Sequence, residues 1–162
     1  MIIKGLIDED FVNYKKPSMT IMFPRCSFKC DKECGVQVCQ NGALASAPDI
    51  EVDAKELTDR FMGNSITTAV VCAGLEPFDS PKDLLGLVRE IRMRTDHPIV
   101  IYTGYTKQEL ISDPNNTYDA LRIYSNIIVK FGRYVPGNEK HFDDVLGVVL
   151  SSDNQYAEII SR

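Results

Sequence analysis

Long apolar runs are missing from this 162-residue chain. None reaches the roughly 20 residues that a membrane-spanning helix requires, so no membrane is expected. A surplus of positive charge is missing too. Lys and Arg number 18 against 23 Asp and Glu, for a net charge of -5, which argues against nucleic acid as a partner. The first ten residues, MIIKGLIDED, carry acids where a signal peptide would place an apolar core and a cleavage site. Low-complexity segments and internal repeats are lacking. Histidine is scarce: His97 precedes Pro98 as a turn residue and His141 lies in a polar stretch with Asp143 and Asp144. Neither has metal-ligand spacing. The expectation is one soluble, cytoplasmic domain, 1–162, of ordinary globular composition.

Cysteine, by contrast, is concentrated. Four of the five cysteines fall between Pro24 and Asn41, as Cys26, Cys30, Cys34 and Cys39. The spacings are C-x3-C, C-x3-C and C-x4-C. In a reducing compartment, crowded thiols point to a metal centre more than to a disulfide framework. A zinc ribbon would show two C-x2-C pairs, whereas a loop that wraps an iron–sulfur cluster tolerates this spacing better. Spacing alone therefore places iron–sulfur ahead of zinc, with a purely structural site as the plain reading. Cys72, inside the apolar run TTAVVC, reads as a small buried hydrophobe.

The remaining pattern is that of an α/β protein. Ile2–Ile7, Met19–Phe23, Thr67–Cys72, Pro98–Tyr102, Asn126–Phe131 and Val145–Leu150 read as strands, most of them apolar throughout. The cysteine stretch lacks helical periodicity and is predicted as an ordered loop. Asp53 begins a helix that Gly63 and Asn64 end. Ser80-Pro81 begins another, amphipathic through Leu84, Leu87, Val88 and Ile91 and running to about Thr95. Thr106-Lys-Gln-Glu109 is a capping box. Alternating strands and helices imply βαβ units and a mostly parallel sheet. Ligands sit at the carboxyl ends of such strands, where the cysteine loop, Ala73–Pro77 and Thr103–Tyr105 all fall. Lys130, within NIIVKF, reads as solvated or snorkelling, with carboxylate binding as the functional alternative.

Several segments together carry a family resemblance. Cys26-Ser-Phe-Lys-Cys30 matches the first half of a C-x3-C-x2-C hallmark, and Cys39-Gln40-Asn41 resembles the tail after its third cysteine. Gly74-Leu75-Glu76-Pro77 is similar to a GGEP segment, although Ala73 and Leu75 displace one glycine. Tyr102-Thr103-Gly104-Tyr105-Thr106, Gly132-Arg133 and Ser151-Ser152-Asp153-Asn154-Gln155 resemble YTGYT, GR and SSNQ segments. The chain thus resembles radical S-adenosylmethionine (SAM) enzymes over nearly its whole length. Within them it resembles the small activating proteins of anaerobic ribonucleotide reductase.

The resemblance implies a single-domain partial (β/α) barrel with a 4Fe–4S cluster held by Cys26, Cys30 and a third thiolate. Cys34 arrives one residue late for the hallmark. Cys39 is preferred, because residues Asp31–Val38 would then form a looped-out insertion; ligation by all four is the alternative. Gly74, Glu76, Pro77 and Thr103 are the implied contacts to SAM. The implied activity is reductive cleavage of SAM to a 5′-deoxyadenosyl radical, which abstracts a glycine hydrogen in the large glycyl-radical subunit of the reductase. A low-potential donor such as flavodoxin or ferredoxin would supply the electron. The competing readings are a radical SAM enzyme with another peptide or glycyl-radical substrate, a non-catalytic iron–sulfur electron carrier, and a zinc-stabilised binding module.

Overall fold

The computed structural model describes residues 1–161. The chain runs β1 (Ile2–Ile3), β2 (Gly5–Asp10), β3 (Ser18–Phe23), α1 (Lys29–Cys34), α2 (Gly42–Ala45), β4 (Ile50–Glu51), α3 (Ala54–Gly63) and β5 (Ala69–Gly74). A single 3-10 turn (Pro77–Asp79) leads into α4 (Pro81–Arg92), β6 (Ile99–Tyr102), α5 (Lys107–Ile111), α6 (Thr117–Leu121), β7 (Ile127–Phe131), β8 (His141–Asp143), β9 (Val148–Leu150) and β10 (Tyr156–Ile159).

The main sheet has the order β10-β7-β6-β5-β3-β2. Its four central strands, β3, β5, β6 and β7, are parallel, while β2 and β10 pair antiparallel at the two edges. The architecture is mixed α/β with a mostly parallel sheet, and among the described residues the sheet does not close into a barrel. Among the described residues no helix is long and apolar enough to cross a membrane.

Because side chains alternate across a strand, the sheet sorts its residues onto two faces. Ile21, Cys72, Ile101 and Val129 face a core shared with Leu57 and Phe61 of α3 and Leu84, Leu87, Val88 and Ile91 of α4. Burying each such aliphatic side chain is worth about 1.5–3 kcal/mol. The opposite face packs Val71, Val100 and Ile128 against Tyr14, Leu146 and Leu150. Among the described residues no helix contributes to that cluster. That side is closed by the segment after β2 and by the β8–β9 hairpin, and it leaves a cavity at the carboxyl ends of the parallel strands.

The structure departs from the sequence expectations at several points. The first strand divides at Lys4, whose amide donates to Met22 O at 2.7 Å. The cysteine stretch, expected as an ordered loop, contains α1, and α2 follows directly after it at Gly42. Neither buries a residue, so no apolar stripe announced them. The amphipathic helix stops at Arg92 rather than near Thr95. Val145–Leu150 does not join the main sheet: Gly147 turns at φ 71 and only Val148–Leu150 is extended, pairing with β8, which contains His141. The Thr106 capping box forms with both reciprocal bonds. Asp53 and Ser80 stand at their N-cap positions without making a side-chain cap bond.

Candidate functional site

Four loops at the carboxyl ends of β3, β5, β6 and β7 enclose a cavity of about 410 Å³. Cys26, Cys30 and Cys39 line it; Cys34 is exposed and does not. The loop after β3 is shaped by specific bonds. Phe28 takes a left-handed conformation (φ 52), and its N–H donates to the Cys26 Sγ at 3.2 Å. Helix α1 then carries the chain outward and ends at Gly35, also left-handed at φ 70. Asp31 closes the excursion: its Oδ1 accepts the amides of Val38 and Cys39, each at 2.8 Å. This returns Cys39 to the neighbourhood of Cys30, while Cys34 is left on the outside. Asn41 then donates from Nδ2 to Gly74 O at 3.0 Å, tying the loop's end to β5.

The three thiols share the cavity wall but do not converge. Among the described residues no three His, Cys, Asp or Glu side chains are drawn together on a single point as one metal ion would require. Burial, and then the charges of Glu76 and Asp79, push the Cys26 thiol up to about 11. Burial, and then the neighbouring Cys39, push Cys30 up to about 11. Without a cation both are neutral thiols, and cation binding must displace their protons.

The β5 loop supplies the next wall. Gly74 has φ 91, and a Cβ there would lie 2.8 Å from Met22 Cα, so the position admits only glycine. Glu76 is buried, with each carboxylate oxygen engaged: Oε1 accepts Phe78 N–H at 3.1 Å and Oε2 accepts Gly104 N–H at 2.8 Å. Burial pushes this carboxyl up to about 7, against the pull of the Gly104, Thr103 and Phe78 bonds. Glu76 thus ties the β5 loop to the β6 loop and still lines the cavity. Thr103 lines the cavity as well, and its hydroxyl accepts Tyr105 N–H at 3.0 Å. Pro77 is buried in the 3-10 turn and is not part of the lining.

Sequence reasoning kept one part of the site only as an alternative and missed a second. Lys130 is not solvated: it is only 6% exposed, lines the cavity and donates to Gly132 O at 2.7 Å. Burial lowers its ammonium to about 8. A lone lysine in an otherwise apolar strand was the available signal. The second part is a network that clasps the cysteine loop. Asp79 accepts Ser27 N–H at 2.7 Å and the Tyr105 hydroxyl at 2.6 Å. Glu109 accepts both terminal nitrogens of Arg133 and also the Lys29 ammonium at 3.0 Å. Burial would raise the Glu109 carboxyl, but these donors and the Thr106 amide hold it down at about 2. Arg133 also donates to Gly104 O at 3.1 Å, joining the β6 and β7 loops. Such partners are scattered along the chain, so no local motif marks them.

A family model described as a 4Fe-4S single cluster domain matches residues 18–155, which run from the start of β3 to the residue before β10. The chain belongs to that family and is an iron–sulfur-binding protein of mixed α/β fold. No curated protein matches it.

Proposed function

We propose that the chain is a radical SAM enzyme whose cluster is held by Cys26, Cys30 and Cys39, with Cys34 outside the ligand set. The observation that carries this reading is the division of the four clustered cysteines. Three line one cavity, while the fourth, one turn beyond Cys30 at the end of α1, is exposed and does not line it. Thiols spread around a cavity wall suit a multi-atom cluster, which bridges ligands farther apart than a single ion does. When bound, a 4Fe–4S cluster held by these three thiolates would keep one iron free for SAM and would supply the one electron that cleaves it to methionine and a 5′-deoxyadenosyl radical, which becomes 5′-deoxyadenosine on abstracting a hydrogen atom.

The chain's own residues fit the second ligand. The cavity reaches from the cysteines along Gly74, Leu75 and Glu76 to Thr103, Lys130 and Arg133. Gly74, packed closely on Met22 of β3, brings backbone to the cavity edge with Leu75 beside it. The Lys130 ammonium, fixed by Gly132 O, is the cationic partner for a carboxylate. Glu76 keeps the two loops around this space in register. The open sheet is read as the partial (β/α) barrel of the superfamily, with the cofactors at its carboxyl rim. The substrate reading is a glycine Cα–H in the large subunit of anaerobic ribonucleotide reductase, with a flavodoxin or ferredoxin as donor.

Anaerobic reconstitution with iron and sulfide, reduction and addition of SAM should yield 5′-deoxyadenosine, detected by chromatography and abolished in Cys26→Ala. A cluster that reconstitutes fully yet yields none, with or without the reductase subunit, would leave an iron–sulfur electron carrier as the function.

A further inference from the structure

A second depression adjoins the cavity. It is a groove of about 270 Å³ between the turn at Val12–Asn13 and β9. Residues 148–151 line it without a gap. Alternate residues of a strand face opposite ways, so an unbroken run marks the strand's edge and not one of its faces. β8 contributes nothing to the lining, which identifies the edge as the one opposite β8. β9 pairs with β8 alone. Among the described residues, no other hydrogen bond reaches the backbone of Val148, Val149 or Leu150. This edge therefore presents unpaired N–H and C=O groups to the groove, the condition under which an extended peptide adds as a strand.

The opposite wall is held firmly. Asp10, itself buried, accepts the amides of Val12 and Asn13 through Oδ1 at 2.8 and 3.3 Å. The groove's inner end consists of Tyr102, Lys130 and Gln155, which also line the larger cavity, so the groove opens into it. Its lips are apolar and bare. Val12 is 76% exposed and Val149 61%. Phe11, beside Val12, and Phe142, directly across the hairpin from Val149, are also exposed. Single exposed apolar residues are ordinary; here Val12 and Val149 both line one groove, and each has an exposed aromatic neighbour outside it.

We propose that this groove seats the glycine-bearing segment of the partner polypeptide, laid along β9 as an added strand with its glycine at the inner end. The inference rests on the activase reading and specifies where its substrate enters. The chemistry favours this occupant. The atom to be attacked is a backbone carbon, and a strand edge recognises backbone. Glycine, lacking a Cβ, lets that backbone approach Tyr102 and Lys130 closely where the groove meets the cavity. At about 270 Å³ the groove is too small for a folded domain.

The test uses a fluorescein-labelled synthetic peptide spanning the radical-bearing glycine of anaerobic ribonucleotide reductase. Its binding to the anaerobic, cluster-reconstituted protein with SAM is followed by fluorescence anisotropy. Val149→Arg and Val12→Arg should each weaken binding at least about tenfold (about 1.4 kcal/mol). Ile66→Arg, on an exposed loop ahead of β5, should not change it. Thermal melts verify that these surface variants fold. Equal affinity across all variants, or no binding to the unaltered protein, would overturn the proposal. So would a Val149-dependent dimer in sedimentation with peptide affinity unchanged, since the groove would then serve a second copy of this chain. If the peptide binds through the groove but no 5′-deoxyadenosine forms from SAM, the groove stands and the activase reading falls.

Discussion

The two faces of the central sheet are made from the same four strands, yet they follow different rules. On the helix side, Ile21, Cys72, Ile101 and Val129 belong to one buried apolar cluster. One residue along each strand, Thr20, Ala73, Tyr102 and Lys130 line the open cavity. The contrast extends to one residue type. Cys72, fully buried on the helix side, has its thiol pushed up to about 12 by burial and is inert. Cys26, Cys30 and Cys39 line the cavity beyond the strand ends, within reach of a cofactor. The period of two along a strand lets one face hold the fold while the other carries the chemistry, so damage to either should have a separate signature.

The largest expected effect lies on the open side. Cys30→Ala and Cys39→Ala should each lose most of the iron and sulfide retained after anaerobic reconstitution. Cys34→Ala should retain the full complement. Equal loss in all three would mean four protein ligands. Next comes the helix face: Ile101→Ala should destabilise the chain by about 2–5 kcal/mol in urea unfolding, the usual cost of a core truncation. Tyr102→Phe, its neighbour on the other face, removes only the bond to Asn13 O and should cost about 1 kcal/mol. Similar costs for the two would erase the distinction between the faces.

Asp31→Ala should act locally. It leaves the amides of Val38 and Cys39 without their acceptor, at about 1–3 kcal/mol for the loop. The fold should melt almost as before while the reconstituted cluster is lost faster in air. A large drop in global stability with unchanged cluster lifetime would contradict that role. The smallest effect is a pH slope. Glu76 has its carboxyl raised from 4.5 to about 7, so between those values the folded chain keeps a proton that the unfolded chain has released. Its contribution to stability is complete below about pH 4.5 and is lost as pH rises through 7. Glu76→Gln should flatten that part of the stability profile of the cluster-free chain, read from urea midpoints between pH 5 and 8.

Much of this organisation was legible in the sequence where the signal was local. The apolar runs at β3, β5, β6 and β7 and the Thr106 capping box each need only neighbouring residues to be recognised. The cysteine cluster was equally plain, but the division between Cys34 and Cys39 depends on Asp31 reaching seven and eight residues ahead. Helices α1 and α2 were hidden because they bury nothing. β10 was missed because YAEI at a sheet edge carries no apolar run. Lys130 was misread because strand position alone does not say which face is solvated. The Arg133–Glu109 and Asp79–Tyr105 contacts join residues 24 and 26 positions apart, and only the assembled sheet brings them together.

The central claim is that the cluster has three protein thiolates and one open iron. The most direct measurement is the electron paramagnetic resonance spectrum of the reduced, reconstituted protein before and after SAM is added. The account predicts a changed spectrum on addition of SAM, in the unaltered protein and in Cys34→Ala alike. A spectrum identical with and without SAM, at full cluster loading, would mean that no iron is open and would contradict it.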